Sequence, residues 1–118
     1  MKPECSATIF HVSNVESSIN YYTNMLGFLV DFRYNDLAGL EYGSVLIYLS
    51  GPQQDTKRTI GQGGIYIFCD EVDQYFKDVS IKGALIEISI ADRVYGMRDF
   101  GVKDPDGNFL TFGKSNQL

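Results

Sequence analysis

The hydrophobic pattern of the chain switches from strand-like to helix-like and back, and it does so twice. Residues 7–12, ATIFHV, form a short run rich in β-branched and aromatic residues and read as a strand. Asn14 then precedes Val15, Ile19, Tyr22 and Leu26, whose steps of three and four define one helix face. Asn14 is the expected N-cap and Gly27 the expected C-terminal stop. Strands are predicted over 28–34, 39–42 and 45–50, the last two joined at Gly43-Ser44. The polar, glycine-rich stretch 51–64 reads as a linker running into the next strand. After it the order restarts with a strand at 64–69. A helix follows, capped by Asp70, with Val72, Phe76 and Val79 on one face and Gly83 as its stop. Strands are predicted at 84–90, 97–103 and 108–113. A shift of 57 residues lays Val15 on Val72, Ile19 on Phe76 and Tyr22 on Val79. The prediction is an α+β chain built from a tandem βαβββ repeat. Module 1 spans about 1–52, a linker about 53–62 and module 2 about 63–118.

Composition narrows the partners. With 118 residues the chain makes one domain with a real core. Its net charge of −5 disfavours nucleic acid and tolerates a cationic ligand. No apolar run is long enough for a membrane span, and the first ten residues lack a signal peptide's apolar block. A cytoplasmic protein is therefore expected. Cys5 and Cys69 are too few for a disulfide scaffold and lack Cys-x-x-Cys spacing.

Two stretches carry a family likeness: VxxSINYYTNMLGF at 15–28 and YGMRDFGVKDPDGNFLTF at 95–112. The chain resembles the vicinal oxygen chelate superfamily, also called the glyoxalase/bleomycin resistance/dioxygenase fold. The likeness covers nearly the whole chain. It implies two βαβββ modules whose curved, mixed sheets form a cleft, with helices on the outer face. It also implies a homodimer, with modules exchanged or clefts built across the interface.

Metal-dependent relatives hold ligands on four strands. By motif, those positions here are Ala7, Tyr48, Gly64 and Thr111. None offers a carboxylate, imidazole or thiolate, which divalent ions require. The only histidine is His11, whereas a non-haem iron site needs two. No metal and no cofactor are expected.

Strand alternation then assigns the cleft. Candidate ligand-binding residues are His11, Glu41, Tyr48, Tyr66, Phe68, Tyr95, Asp99, Phe109 and Thr111, with Ile9 and Leu46 beside them. Asp99 depends on a register in which a one-residue slip reverses the face. Tyrosines stack on flat rings and keep a hydroxyl for hydrogen bonding. The resemblance places an aromatic contact to a flat ligand at Tyr95; the alternative is a loop aromatic that closes the cleft mouth or the dimer interface. His11 is either a titrating group in the site or a histidine filling a polar gap. Asp104-Pro105-Asp106-Gly107 reads as a turn. The first functional reading is a non-catalytic binder of small, flat or cationic, antibiotic-like molecules, similar to bleomycin resistance proteins and acting by sequestration in an aromatic, acidic cleft. The alternative is a superfamily lyase, isomerase or dioxygenase, either metal-dependent or using His11 with Glu41 or Asp99 as acid and base.

Overall fold

Eight strands and two helices appear in the computed structural model, which describes residues 1–54 and 57–117. Residues 55 and 56 of the expected linker and residue 118 of the expected second module lie outside the described residues. The first unit comprises β1 (Thr8–His11), α1 (Val15–Asn24), β2 (Leu29–Tyr34), β3 (Leu37–Tyr42) and β4 (Val45–Ser50). The second comprises β5 (Gly64–Phe68), α2 (Val72–Lys82), β6 (Leu85–Asp92), β7 (Met97–Lys103) and β8 (Phe109–Ser115). Each forms a four-stranded mixed sheet, in the orders β1-β4-β3-β2 and β5-β8-β7-β6. The first strand of each unit pairs parallel to the last, and the others are antiparallel. The repeat is therefore real, and the two helices begin at the residues that the 57-residue shift superposes.

The α1 cap forms as expected: Asn14 Oδ1 accepts from the Ser17 amide at 2.9 Å. The helix stops earlier than expected, at Asn24, and Gly27 turns the chain beyond it at φ +86°. α2 departs from expectation at its start. Its N-cap is Glu71, not Asp70, because the first helical bond runs from the Tyr75 amide to the Glu71 carbonyl. No side chain caps it. Its end holds as expected, with Gly83 left-handed at φ +96° and accepting no Cβ penalty. β3 begins at Leu37 rather than residue 39, after a two-residue turn in which Asn35 takes φ +52°.

Phe10, Leu49 and Ala38 lie in one row across the first sheet and Ile47 and Leu40 in another, all buried. Leu110 with Val102 and Phe112 with Phe100 do the same in the second. These rows form the core, so the opposite faces are left for other uses.

The Asp-Pro-Asp-Gly segment is a turn, with Gly107 at φ +102°, and it also joins the two units. Asp104 and Asn108 are buried polar residues with every bond accounted for. Asp104 Oδ2 accepts from Tyr22 Oη on α1 at 2.9 Å and from Asn108 Nδ2 at 3.0 Å. Asn108 Nδ2 also donates to the His11 carbonyl, and Asn108 Oδ1 accepts from the Gly63 amide. Tyr21 adds a second link, donating to the Lys103 carbonyl and accepting from the Leu85 amide. Burial, and then the Asp104 charge, push the Tyr22 hydroxyl well above its usual pKa, so it stays a donor.

Candidate functional site

Register fixes which side chains share the coreless face of each sheet. On the first sheet, Ile9, Tyr48, Gly39 and Phe32 form one row. Leu46, Glu41 and Leu29 form the next, and His11 and Leu37 lie in a third. On the second, Tyr66, Thr111, Gly101 and Ile88 form one row, and Phe68, Gly113, Asp99 and Ala91 another. Phe109 sits in a third row, opposite Gly64 and Lys103.

Glycines shape both faces. A Cβ on Gly39 would lie 2.1 Å from the Phe32 ring, and one on Gly101 would lie 2.4 Å from the Phe109 ring. Each aromatic thus lies down over a glycine. Phe32 meets Tyr48 edge-on, with ring centroids 5.2 Å apart. Tyr66 is folded over Gly113 in the same way and lies 5.1 Å from the Phe68 ring.

Asp99 is the centre of the second face. Its side chain is buried, with 3 % of the residue exposed. Oδ2 accepts from Tyr66 Oη at 2.9 Å and Tyr95 Oη at 2.7 Å. Oδ1 accepts from Arg93 Nε at 2.7 Å, and Arg93 Nη2 grips the Ser89 and Asp99 carbonyls. Burial pushes the Asp99 carboxyl up, but the Tyr95, Arg93 and Tyr66 bonds outweigh it and hold it below the usual carboxylate range. Tyr66 is raised above the ordinary tyrosine value by burial and by Asp99. Tyr95 is raised chiefly by its bond to Asp99.

His11 and Tyr48 line a depression of about 660 Å³ on the first face, with Ile9 and Leu37. His11 Nδ1 is buried there without a partner, while the residue's carbonyl is held by Gly61 and Asn108. Linker residues Gln54, Lys57, Arg58, Thr59 and Gln62 also line it, a contribution that sequence reading missed. A glycine-rich polar stretch carries no periodicity from which a wall can be read. A second depression, about 580 Å³, lies between the Gly43-Ser44 turn and the start of α2 and takes in Phe68. Neither joins the two faces. The candidate residues are therefore brought together as two groups: His11, Glu41 and Tyr48 on one sheet, and Tyr66, Phe68, Tyr95, Asp99, Phe109 and Thr111 on or beside the other. The expected acidic character is also uneven, since Asp99 is paired with Arg93 and two cations line the first depression.

The four positions at which the resemblance leads one to expect metal ligands do not fit a divalent ion. Tyr48 and Thr111 supply only a phenol and an alcohol, and Ala7 and Gly64 supply no donor atom. Among the described residues no group of three or more His, Cys, Asp or Glu could hold a metal ion. Among them, too, no helix is long and apolar enough to cross a membrane.

The topology, the doubled unit and the two coreless faces define a class. The chain belongs to the Glyoxalase/Bleomycin resistance protein/Dioxygenase superfamily, whose family model matches residues 7–112. Solved structures share the fold across different chemistries. A bleomycin-binding protein from bleomycin-producing Streptomyces verticillus, complexed with copper(II)-bleomycin, superposes with a TM-score of 0.79 at 18 % identity, covering 99 % of both chains. A lactoylglutathione lyase from Agrobacterium tumefaciens gives 0.79 at 19 % identity over 96 % of each chain. TioX from Micromonospora sp. ML1 gives 0.82 at 16 %, covering 96 % of this chain and 99 % of that one. No curated protein matches the chain.

Proposed function

We propose that the protein is a cytoplasmic small-molecule-binding protein that sequesters its ligand without turning it over or needing a metal. Its site is formed when the first sheet of one copy faces the second sheet of another. The observation that carries this reading is the split of the candidate residues between two coreless faces. Those faces leave large apolar side chains in water: Ile9 is 54 % exposed, Phe68 77 % and Tyr95 62 %. Such surfaces mark binding or association. Aromatic walls with few polar groups suit a flat ligand. The fold neighbour bound to copper(II)-bleomycin shows that the architecture accommodates an antibiotic in that protein.

Thermal shift tests the reading. A panel of flat and cationic antibiotics, bleomycin included, is run beside Zn²⁺, Ni²⁺, Mn²⁺, Fe²⁺ and Mg²⁺. A ligand at a hundredfold excess over Kd adds about 2.7 kcal/mol of stability. A shift with an antibiotic and none with metals supports the reading. A specific shift with one metal contradicts it.

A second reading rests on His11, which borders the first depression and whose buried Nδ1 has no hydrogen-bond partner. In it His11 is the acid and base of a metal-free enzyme. Asp99 is a poor co-catalyst, since both its oxygens are occupied. Loss of a measured activity on His11→Ala would support this reading, and retention would end it.

A further inference from the structure

Hydrogen-bond direction on the second face is fixed, and direction selects ligands. A phenol has one proton and two lone pairs. Tyr66 and Tyr95 both give that proton to Asp99 Oδ2, at 2.9 and 2.7 Å. Their oxygens then have only lone pairs to offer. The arrangement cannot easily reverse. Asp99 is buried, and an ionised carboxylate accepts only. Arg93 holds it in that state from the other side, through Oδ1 and its own backbone carbonyl. The directions of the three pKa shifts agree with this, with Asp99 lowered and both tyrosines raised. Arg93 and Asp99 cancel each other's charge, so donor or acceptor character, rather than net charge, is left to discriminate. Beside Tyr66 the Phe68 ring supplies an exposed aromatic surface, tilted 47° to it.

We infer that this face selects flat aromatic ligands that donate hydrogen bonds, such as aryl amines, amidines or carboxamides, over matched ethers, esters and carboxylates. The inference rests on the small-molecule-binding reading and adds the chemical class. A ligand that needs a donor from either tyrosine must draw its proton away from a buried carboxylate. Breaking one of the two bonds that Asp99 Oδ2 accepts weakens binding by about tenfold.

Three probes of one skeleton test it on the full-length protein: 6-aminoquinoline, 6-methoxyquinoline and quinoline-6-carboxylate. Affinity is followed by NMR through the amides of β5 and β7. The amine is expected to bind about tenfold tighter than the ether. Asp99→Asn can donate from its amide, which frees the tyrosine protons, so the ether gains and the preference narrows. If the ether or the carboxylate binds as well as the amine, the inference is overturned and the binding reading stands. Arg93 is the cation in this cluster, so tight carboxylate binding would show it to be the dominant contact. If no probe moves these amides, the inference is overturned, and the antibiotic panel alone decides the binding reading.

Discussion

The two sheets have one topology and use it differently. On the first, the coreless face is mostly apolar and aromatic, with Glu41, a histidine nitrogen lacking a partner and a linker carrying Lys57 and Arg58 along its edge. On the second, a buried carboxylate organises two tyrosines and an arginine, accepting one hydrogen bond from each tyrosine hydroxyl and one from Arg93 Nε. The first face holds its shape by packing, Phe32 over Gly39 against Tyr48. The second combines packing, Phe109 over Gly101, with a polar network. Duplication thus preserves the backbone and the core rows, while each outward face is free to specialise.

Removing the polar centre should separate the faces most. Asp99→Ala strands Arg93 and two phenols, and is expected to cost about 2–4 kcal/mol in urea denaturation. A cost under about 0.5 kcal/mol would show the network to be idle. The glycine device should instead treat the faces alike. Gly39→Ala and Gly101→Ala each force a ring off its seat and are expected to cost about 1–3 kcal/mol. If only one of them destabilises, the two faces are not packed by the same means. Helix caps give a smaller contrast: Asn14→Ala should cost about 1 kcal/mol, while Glu71→Ala, which loses no cap bond, should cost close to nothing. A comparison of melting temperatures decides it.

The faces should also differ in acid. Asp99 titrates lower in the folded than in the unfolded chain. Its contribution is therefore complete above the unfolded carboxylate range, about pH 4, and is lost as pH falls through the lower folded value. Asp99→Asn removes that term, so its stability should fall less steeply than that of the wild type at low pH. An unchanged slope would assign the acid sensitivity elsewhere.

Much of this was legible in the chain. Period-two and period-3.6 patterns located each strand and helix, because burial on one face imposes them. The alternation also located the rows, including Asp99 beside Gly101. Ends were less legible. A cap depends on which carbonyl takes the first helical bond, and at α2 the sequence pointed to Asp70 while the bond goes to Glu71, whose side chain caps nothing. The partners of Asp99 and Asp104 could not be read at all. Tyr22 lies 82 residues from Asp104, and no local pattern records a contact set by the packing of two units. The same holds for the linker as a wall, which has polar composition and no period.

The central claim is that the site joins faces from two copies, and complementation tests it directly. One variant carries His11→Ala and Tyr48→Ala on the first face. The other carries Tyr66→Ala and Tyr95→Ala on the second. Each alone should fail to bind 6-aminoquinoline. Mixed in equal amounts and allowed to exchange, they form mixed dimers with one intact site, and about a quarter of the wild-type capacity should return. If no binding returns although mixed dimers form, the site lies within a single chain and the account is contradicted.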